Sequence, residues 1–306
     1  MSRRGWALFA ALSILWGLPY FFIKVAVADL QPMFVVAGRL LLAAAVLVPV
    51  ALVSGGRDGR ALPSLAGKWR WIVLFALIEF IVPFALLTWA ETKVTSSLAG
   101  LTIAAVPTIS ALAAAQLGLA DRLDRTRVAG LVLGAAGVGV LLGLDLHADS
   151  ALAILALLGV AVGYALGPIL LRLRLQDAPG PAVMAAGTAV AAVLYLPFLV
   201  GGWPAAAVPA QAWWALAALG LLCSAAAFLI MFALVAEAGP TRMTVVTYLN
   251  PVVAVALGVV VLGEAITAGM VLGFPLIVLG SVLATRPNRH RGKSLRAEPR
   301  TDTIAS

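Results

Sequence analysis

The sequence holds one cysteine, two histidines and few charges among its 306 residues. Because Cys223 is alone, the chain cannot form an intramolecular disulfide. His147 and His290 stand far apart in polar stretches, and no His, Cys and carboxylate set has metal-ligand spacing. No metal or cofactor is therefore expected. The Gly-x-x-x-x-Gly-Lys-Ser/Thr loop is missing too, so ATP would have to act through a partner. Charged residues make up 11% of the chain, against about a quarter in soluble globular proteins. No linker is long enough to separate a soluble domain.

Apolar sequence fills the space. The chain is 63% hydrophobic with a mean hydropathy of +1.07, which marks a polytopic membrane protein. A spanning helix needs about 20 mostly apolar residues. Ten runs approach that length: Trp6–Val27, Phe34–Val53, Trp71–Trp89, Ser96–Leu119, Val128–Leu144, Ala151–Leu171, Pro181–Val200, Trp213–Ala236, Met243–Leu262 and Gly269–Ala284. Short connections with turn residues join them, such as Gln31-Pro32 and Ala178-Pro179-Gly180. Arg3-Arg4 and the apolar run to Ile23 have the look of a cleavable signal. Lys24 interrupts the approach to a cleavage site, and the run is long, so a retained first span is expected.

The net charge of +8 does not imply nucleic acid. Its charges cluster between apolar runs and in a tail, where anionic lipid headgroups are the fitting partner. With the N-terminus inside, only Lys93 falls in an outside loop; Lys24 and Arg39 lie within helices. The other lysines and arginines, from Arg57 to Arg242 and the tail, face inward. Both termini are thus expected in the cytoplasm.

Sliding the chain against itself by about half its length reveals a repeat. Asp121 then matches Glu264, Pro107 matches Pro251, and Glu91 matches Glu237. Trp16 matches Tyr164, Lys24 matches Arg172, and Gly130 and Gly137 match Gly273 and Gly280. Five helices per copy make the second copy enter the membrane from the opposite side, as in many secondary transporters. The expected fold is an all-α integral membrane protein of ten transmembrane helices, in two inverted five-helix repeats, N-in/C-in. The repeats cover residues 1–144 and 145–285, and residues 286–306 form a basic, disordered cytoplasmic tail.

Several segments also resemble a known family. Trp16-Gly17 opens the first helix, and Pro32…Arg39 opens the second. Val82-Pro83-Phe84, Trp89-Ala90-Glu91 and Ser96-Ser97-Leu98-Ala99-Gly100 follow. Tyr248-Leu249-Asn250-Pro251 and Gly263-Glu264 are the most specific elements. The pattern resembles the EamA family of the drug/metabolite transporter superfamily over nearly the whole chain. Asp121 departs from the family's usual glutamate, and Arg39 has no counterpart in the second half. The resemblance implies ten helices around a central cavity and movement of small metabolites or drugs, often outward.

Polar groups inside apolar runs are the candidates for function. Glu79 lies roughly 12 Å into its span and could carry a proton or another coupling ion. Its plain alternative is a structural acid. Arg39 could bind a substrate carboxylate, pair with Glu79, or snorkel to the interface. Lys24 and Arg172 sit near helix ends, where snorkelling is the default. Trp16, Tyr20, Tyr164 and Tyr248 could line a substrate cavity or simply pack. Thr247 and Asn250 could touch substrate or satisfy the carbonyl freed by Pro251. Pro107 and Pro251 are expected to shape their helices. Asp121 and Glu264 are expected at helix ends, capping neighbouring N-termini or pairing with arginines. Gly130-x-x-x-Gly134 fits close helix packing within the chain; a homodimer is the other use for it.

The leading function is a secondary transporter, an exporter of small metabolites, amino-acid-like compounds or drugs, in the cytoplasmic (inner) membrane. A non-transporting membrane scaffold and a membrane-embedded lipid enzyme are the alternatives. The enzyme lacks a nucleophile with a base, and the scaffold leaves the buried polar groups without purpose.

Overall fold

The computed structural model describes residues 1–54, 63–119, 124–145, 151–239 and 245–285. Asp121, His147, His290 and the basic tail lie outside the described residues. Among the described residues all regular structure is helical. The α-helices are α1 (Arg3–Ala26), α2 (Pro32–Ser54), α3 (Trp69–Ala76), α4 (Val82–Ala90), α5 (Ser96–Ile103) and α6 (Val106–Gln116). Then come α7 (Arg125–Asp145), α8 (Ala151–Arg174), α9 (Gly180–Gly201), α10 (Ala210–Gly220), α11 (Ala227–Ala238), α12 (Val246–Val260) and α13 (Ala268–Ala284). Helices dominate because a lipid-facing backbone must satisfy its own polar groups.

Seven helical rods are long and apolar enough to cross a membrane: Arg3–Ala26, Pro32–Val53, Leu65–Ala90, Ser96–Gln116, Ala151–Arg174, Gly180–Gly201 and Ala210–Ala238. α12 and α13 are shorter apolar helices, and α7 is a further helix of 21 residues. Helices of the first half pack on helices of the second: α7 on α13, α2 on α9, α1 on α12, and α4 on α8.

Two rods carry π-helical segments. Leu77–Ile81 joins α3 to α4, and Leu221–Ala226 joins α10 to α11. Pro83 helps explain the first, because it has no N–H for the carbonyl of Glu79 four residues back. Tyr195 of α9 donates its hydroxyl to the Ile81 carbonyl at 2.9 Å, tying α9 to the end of the segment. In the second segment, Ser224 donates to the carbonyl of Leu219, five residues back, at 2.9 Å. A third irregularity is the turn at Ala104-Ala105, between α5 and α6. Pro107 follows in the first turn of α6, where a missing N–H costs little. Pro251, its expected equivalent, instead lies within an uninterrupted α12.

Glycines set the closest helix contact. A Cβ on Gly130 would lie 2.7 Å from the Gly280 carbonyl oxygen, and one on Gly137 would lie 2.9 Å from that of Gly273. Gly273 and Gly280 return the relation to Gly137 and Gly130. α7 and α13 therefore touch backbone to backbone, as small residues allow. Gly134 faces Thr108 and Gly280 of the same chain. The Gly130-x-x-x-Gly134 surface is used within the subunit and is not open to a dimer partner.

Candidate functional site: a cavity shared by both halves

A cavity of about 780 Å³ lies between the helices. Trp16, Tyr20, Arg39, Glu79, Pro107, Tyr164, Thr247, Tyr248, Asn250 and Pro251 all border it. Residues that were far apart in sequence thus share one space. The apolar lining includes Phe80, Phe84, Leu87 and Phe228.

Arg39 does not reach the membrane interface; it is 6% exposed and points inward. Its Nε donates to Ser224 Oγ at 2.9 Å. Its guanidinium lies 3.8 Å from the Phe84 ring centroid, a cation–π arrangement. Nη1 remains enclosed without a hydrogen-bond partner among the described residues. Among the described residues Arg39 and Glu79 do not pair, whereas Arg4–Glu237 at 3.6 Å and Lys68–Asp177 at 3.5 Å do. The physical reason is that Ser224 and Phe84 already fix the guanidinium.

Glu79 sits in the π segment Leu77–Ile81 and faces Gly167 of α8. A side chain at Gly167 would collide with its carboxylate, so glycine there makes room for the acid. Among the described residues Glu79 Oε2 has no hydrogen-bond partner. The cavity thus borders two ionisable groups, each with an unsatisfied atom.

The Asn250 amide is oriented by its surroundings to donate to the carbonyls of Val246 at 2.9 Å and Ser13 at 3.2 Å. It ties α12 to α1 while bordering the cavity. Gly17 permits this contact, since its Cβ would lie 2.9 Å from the Asn250 carbonyl oxygen. Of the two basic residues expected to snorkel, Arg172 borders the cavity. Lys24 caps a helix end instead, as described below. Sequence reasoning missed Arg127, Ser110, Cys223 and Thr285 in the lining. Arg127 carries a charge between apolar runs and Cys223 lies within one; only their places in the fold set them against the cavity.

One end of the helix bundle is sealed. Lys24 Nζ donates to the carbonyls of Glu91 at 2.7 Å and Val94 at 2.8 Å, closing the C-terminal end of α4. Glu264, in the link between α12 and α13, holds the N-terminus of α5. Its Oε1 accepts from the Ser96 N–H at 2.7 Å and hydroxyl at 2.9 Å. Its Oε2 accepts from the Ser97 N–H at 2.9 Å and hydroxyl at 2.5 Å. Burial raises the Glu264 carboxyl, but these bonds from Ser97 and Ser96 outweigh it and hold the group below the usual carboxylate range. The expected capping role of Glu264 is what the structure shows. Glu91, just past the span Leu65–Ala90, is fully enclosed, and neither carboxylate oxygen has a hydrogen-bond partner among the described residues. Burial pushes its carboxyl well above the usual range, with Lys24 pulling the other way.

Toward the opposite end the cavity lining turns polar. Arg172 at the end of α8, Arg127 at the start of α7 and Thr285 beyond α13 line it there. One cavity is thus drawn from both halves of the chain. A family model described as the EamA-like transporter family matches the chain twice, over residues 3–143 and 151–286. The chain belongs to this family. Among its EamA-like relatives is an uncharacterized inner membrane transporter, YedA, of Escherichia coli (strain K12). It is 30% identical over 286 residues, covering 91% of this chain and 89% of YedA. A probable amino-acid metabolite efflux pump of Salmonella typhimurium (strain LT2) is 26% identical, covering 92% and 94%. A protein of known crystal structure shares the fold with a TM-score of 0.65 at 24% identity, covering 92% of this chain and 96% of that one. The EamA-like chain is a multi-pass membrane transporter and not an enzyme.

Proposed function

We propose that the protein is a secondary exporter of small, amino-acid-like metabolites or drugs in the inner membrane. It works by alternating access between two inverted five-helix repeats. The observation that carries this reading is the shared cavity with its two unsatisfied ionisable groups, Arg39 and Glu79. The double family match and the contacts of α7 with α13 and α2 with α9 support two related halves. Exposed Trp6 and Trp69 at one end and Trp203 and Trp214 at the other fit interfacial belts about ten spans. With basic segments inward, both termini are cytoplasmic and the polar end of the cavity faces the cytoplasm, where an exporter loads.

In this mechanism the Arg39 guanidinium binds a substrate carboxylate, pre-oriented by Ser224 and Phe84. The name of the Salmonella relative supports an amino-acid-like cargo. Trp16, Tyr20, Tyr164, Tyr248, Thr247 and Asn250 form the surrounding wall. Pro107, after the turn at Ala104-Ala105, and Pro251 shape the helices that move. Glu79 carries the coupling proton, since an ionised carboxylate without a donor is costly in an enclosed site. Flux in proteoliposomes under an imposed pH gradient tests this. Wild-type transport should respond to the gradient, and Glu79→Gln should flatten the response. An unchanged pH response in that variant sinks the proton role, and absent flux in the wild type sinks the transport reading.

A further inference from the structure

Glu91 and Glu237 occupy matching places in the two repeats but opposite surroundings. Glu91 follows α4 at the sealed end, near Lys24 of α1. Glu237 closes α11 beside Ser2 and Arg4, at the other end of α1. The 24 residues of α1 set these ends about 36 Å apart. Glu91 is fully enclosed, with both oxygens unpartnered among the described residues. Glu237 is 23% exposed, accepts from the Ser2 hydroxyl and pairs with Arg4 at 3.6 Å. The basic residues that match across the repeats divide the same way. Lys24 is bonded into the seal, whereas Arg172 borders the cavity.

We propose that Glu91 is a proton-binding site built into the outer gate, neutral while the gate is shut and ionised when it opens. Glu237 is its repeat-related counterpart, seen in the opened form. The inference rests on the alternating-access reading above, in which the sealed end faces outward. Opening the gate breaks the bonds of Lys24 to α4 and of Glu264 to Ser96 and Ser97. Water then reaches Glu91, and its proton leaves to the outer solution; closing takes one proton back from the same side. The charged and titratable groups facing Glu91 are Lys24 and Tyr20 of α1, Arg39 of α2, Tyr164 of α8 and Glu264 of the α12–α13 link.

The sign follows from linkage. Glu91 binds its proton more tightly in the shut gate, so outer acid favours the cavity open to the cytoplasm, and that preference fades as pH rises. Glu264 acts oppositely: acid removes its negative charge and weakens the latch. Its group lies below the ordinary carboxylate value of about 4.3, so near neutral pH only Glu91 responds.

Infrared difference spectroscopy on the full-length protein in lipid nanodiscs tests the site. At pH 7 the wild type should show a protonated-carboxyl stretch that Glu91→Gln removes and Glu91→Asp shifts in frequency. The double variant Ser96→Ala/Ser97→Ala leaves Glu91 intact and weakens the latch. In it, the titration of this band should move down by about one pH unit or more, a tenfold loss of proton affinity. Spectra of wild type and Glu91→Gln that coincide at pH 7 would overturn the proposal. So would a titration unmoved in the double variant. Counterflow flux in the same lipid separates the two readings: active flux without the band refutes only the proton site, and the band without flux refutes the transport cycle beneath it.

Discussion

Glu264→Gln probes the seal most directly. The wild-type carboxylate accepts four hydrogen bonds from Ser96 and Ser97 and sits at the N-terminus of α5. The substituted amide keeps one oxygen acceptor, while its NH2 group faces the donors of Ser97 or Ser96. The variant also loses the negative charge that the helix end favours. A hydrogen bond to a charged group contributes about 1.5–3 kcal/mol, and a lost N-cap costs about 0.5–2 kcal/mol. The two describe overlapping interactions, so a net loss of about 1–3 kcal/mol at neutral pH is expected. Thermal unfolding in one detergent, followed from pH 8 to pH 3, is the assay. Because the folded Glu264 titrates below its unfolded value, its stabilisation is complete above the ordinary carboxylate range. The gap between wild type and variant should hold constant down to roughly pH 5 and narrow below roughly pH 4. Equal stability at pH 7, or a gap that does not change with acid, would refute the assignment of Glu264 as a charged cap.

Other substitutions test separate parts of the fold. Gly273→Ala sets a Cβ 2.7 Å from the Leu141 backbone nitrogen and should cost about 1–3 kcal/mol in thermal unfolding. Gly139→Ala, on the same helix as Gly137 but with nothing within 4 Å, should be neutral or gain up to about 1 kcal/mol in the same melt. Tyr195→Phe removes the cross-helix donor to the Ile81 carbonyl and should cost about 0.5–1.5 kcal/mol, read by denaturant titration. Arg39→Lys should weaken binding of a carboxylate cargo in a flux competition assay, because an ammonium cannot keep both the Ser224 bond and the stacking on Phe84.

Much of this was legible in the sequence because lipid imposes simple rules. Apolar run length located the apolar helices. Polar residues within spans led to the cavity, since Glu79, Arg39 and Tyr164 have few other places to go. The π segments were not legible: Leu77–Ile81 and Leu221–Ala226 are apolar runs whose hydropathy is the same with either hydrogen-bond spacing. Pro83 hinted at the first, but nothing as plain marks the second. The partner of Arg39 was also hidden, because Ser224 is one hydroxyl in an alanine-rich stretch and only the packing of α2 selects it. The expectation that Pro107 and Pro251 act alike missed the turn at Ala104-Ala105, which the sequence around Pro251 does not repeat.

The two π segments also set the phase of their rods. One extra residue within a helix rotates everything after it by about 100° relative to what came before. In the third rod this lets Phe75, ahead of the segment, pack into the core beside Gly187 of α9, while Phe84 and Leu87, beyond it, border the cavity. Deleting a single residue from Leu77–Ile81 would leave the rod helical and apolar, yet turn its second half away from the cavity. The length of that segment then decides which side chains beyond it border the cavity.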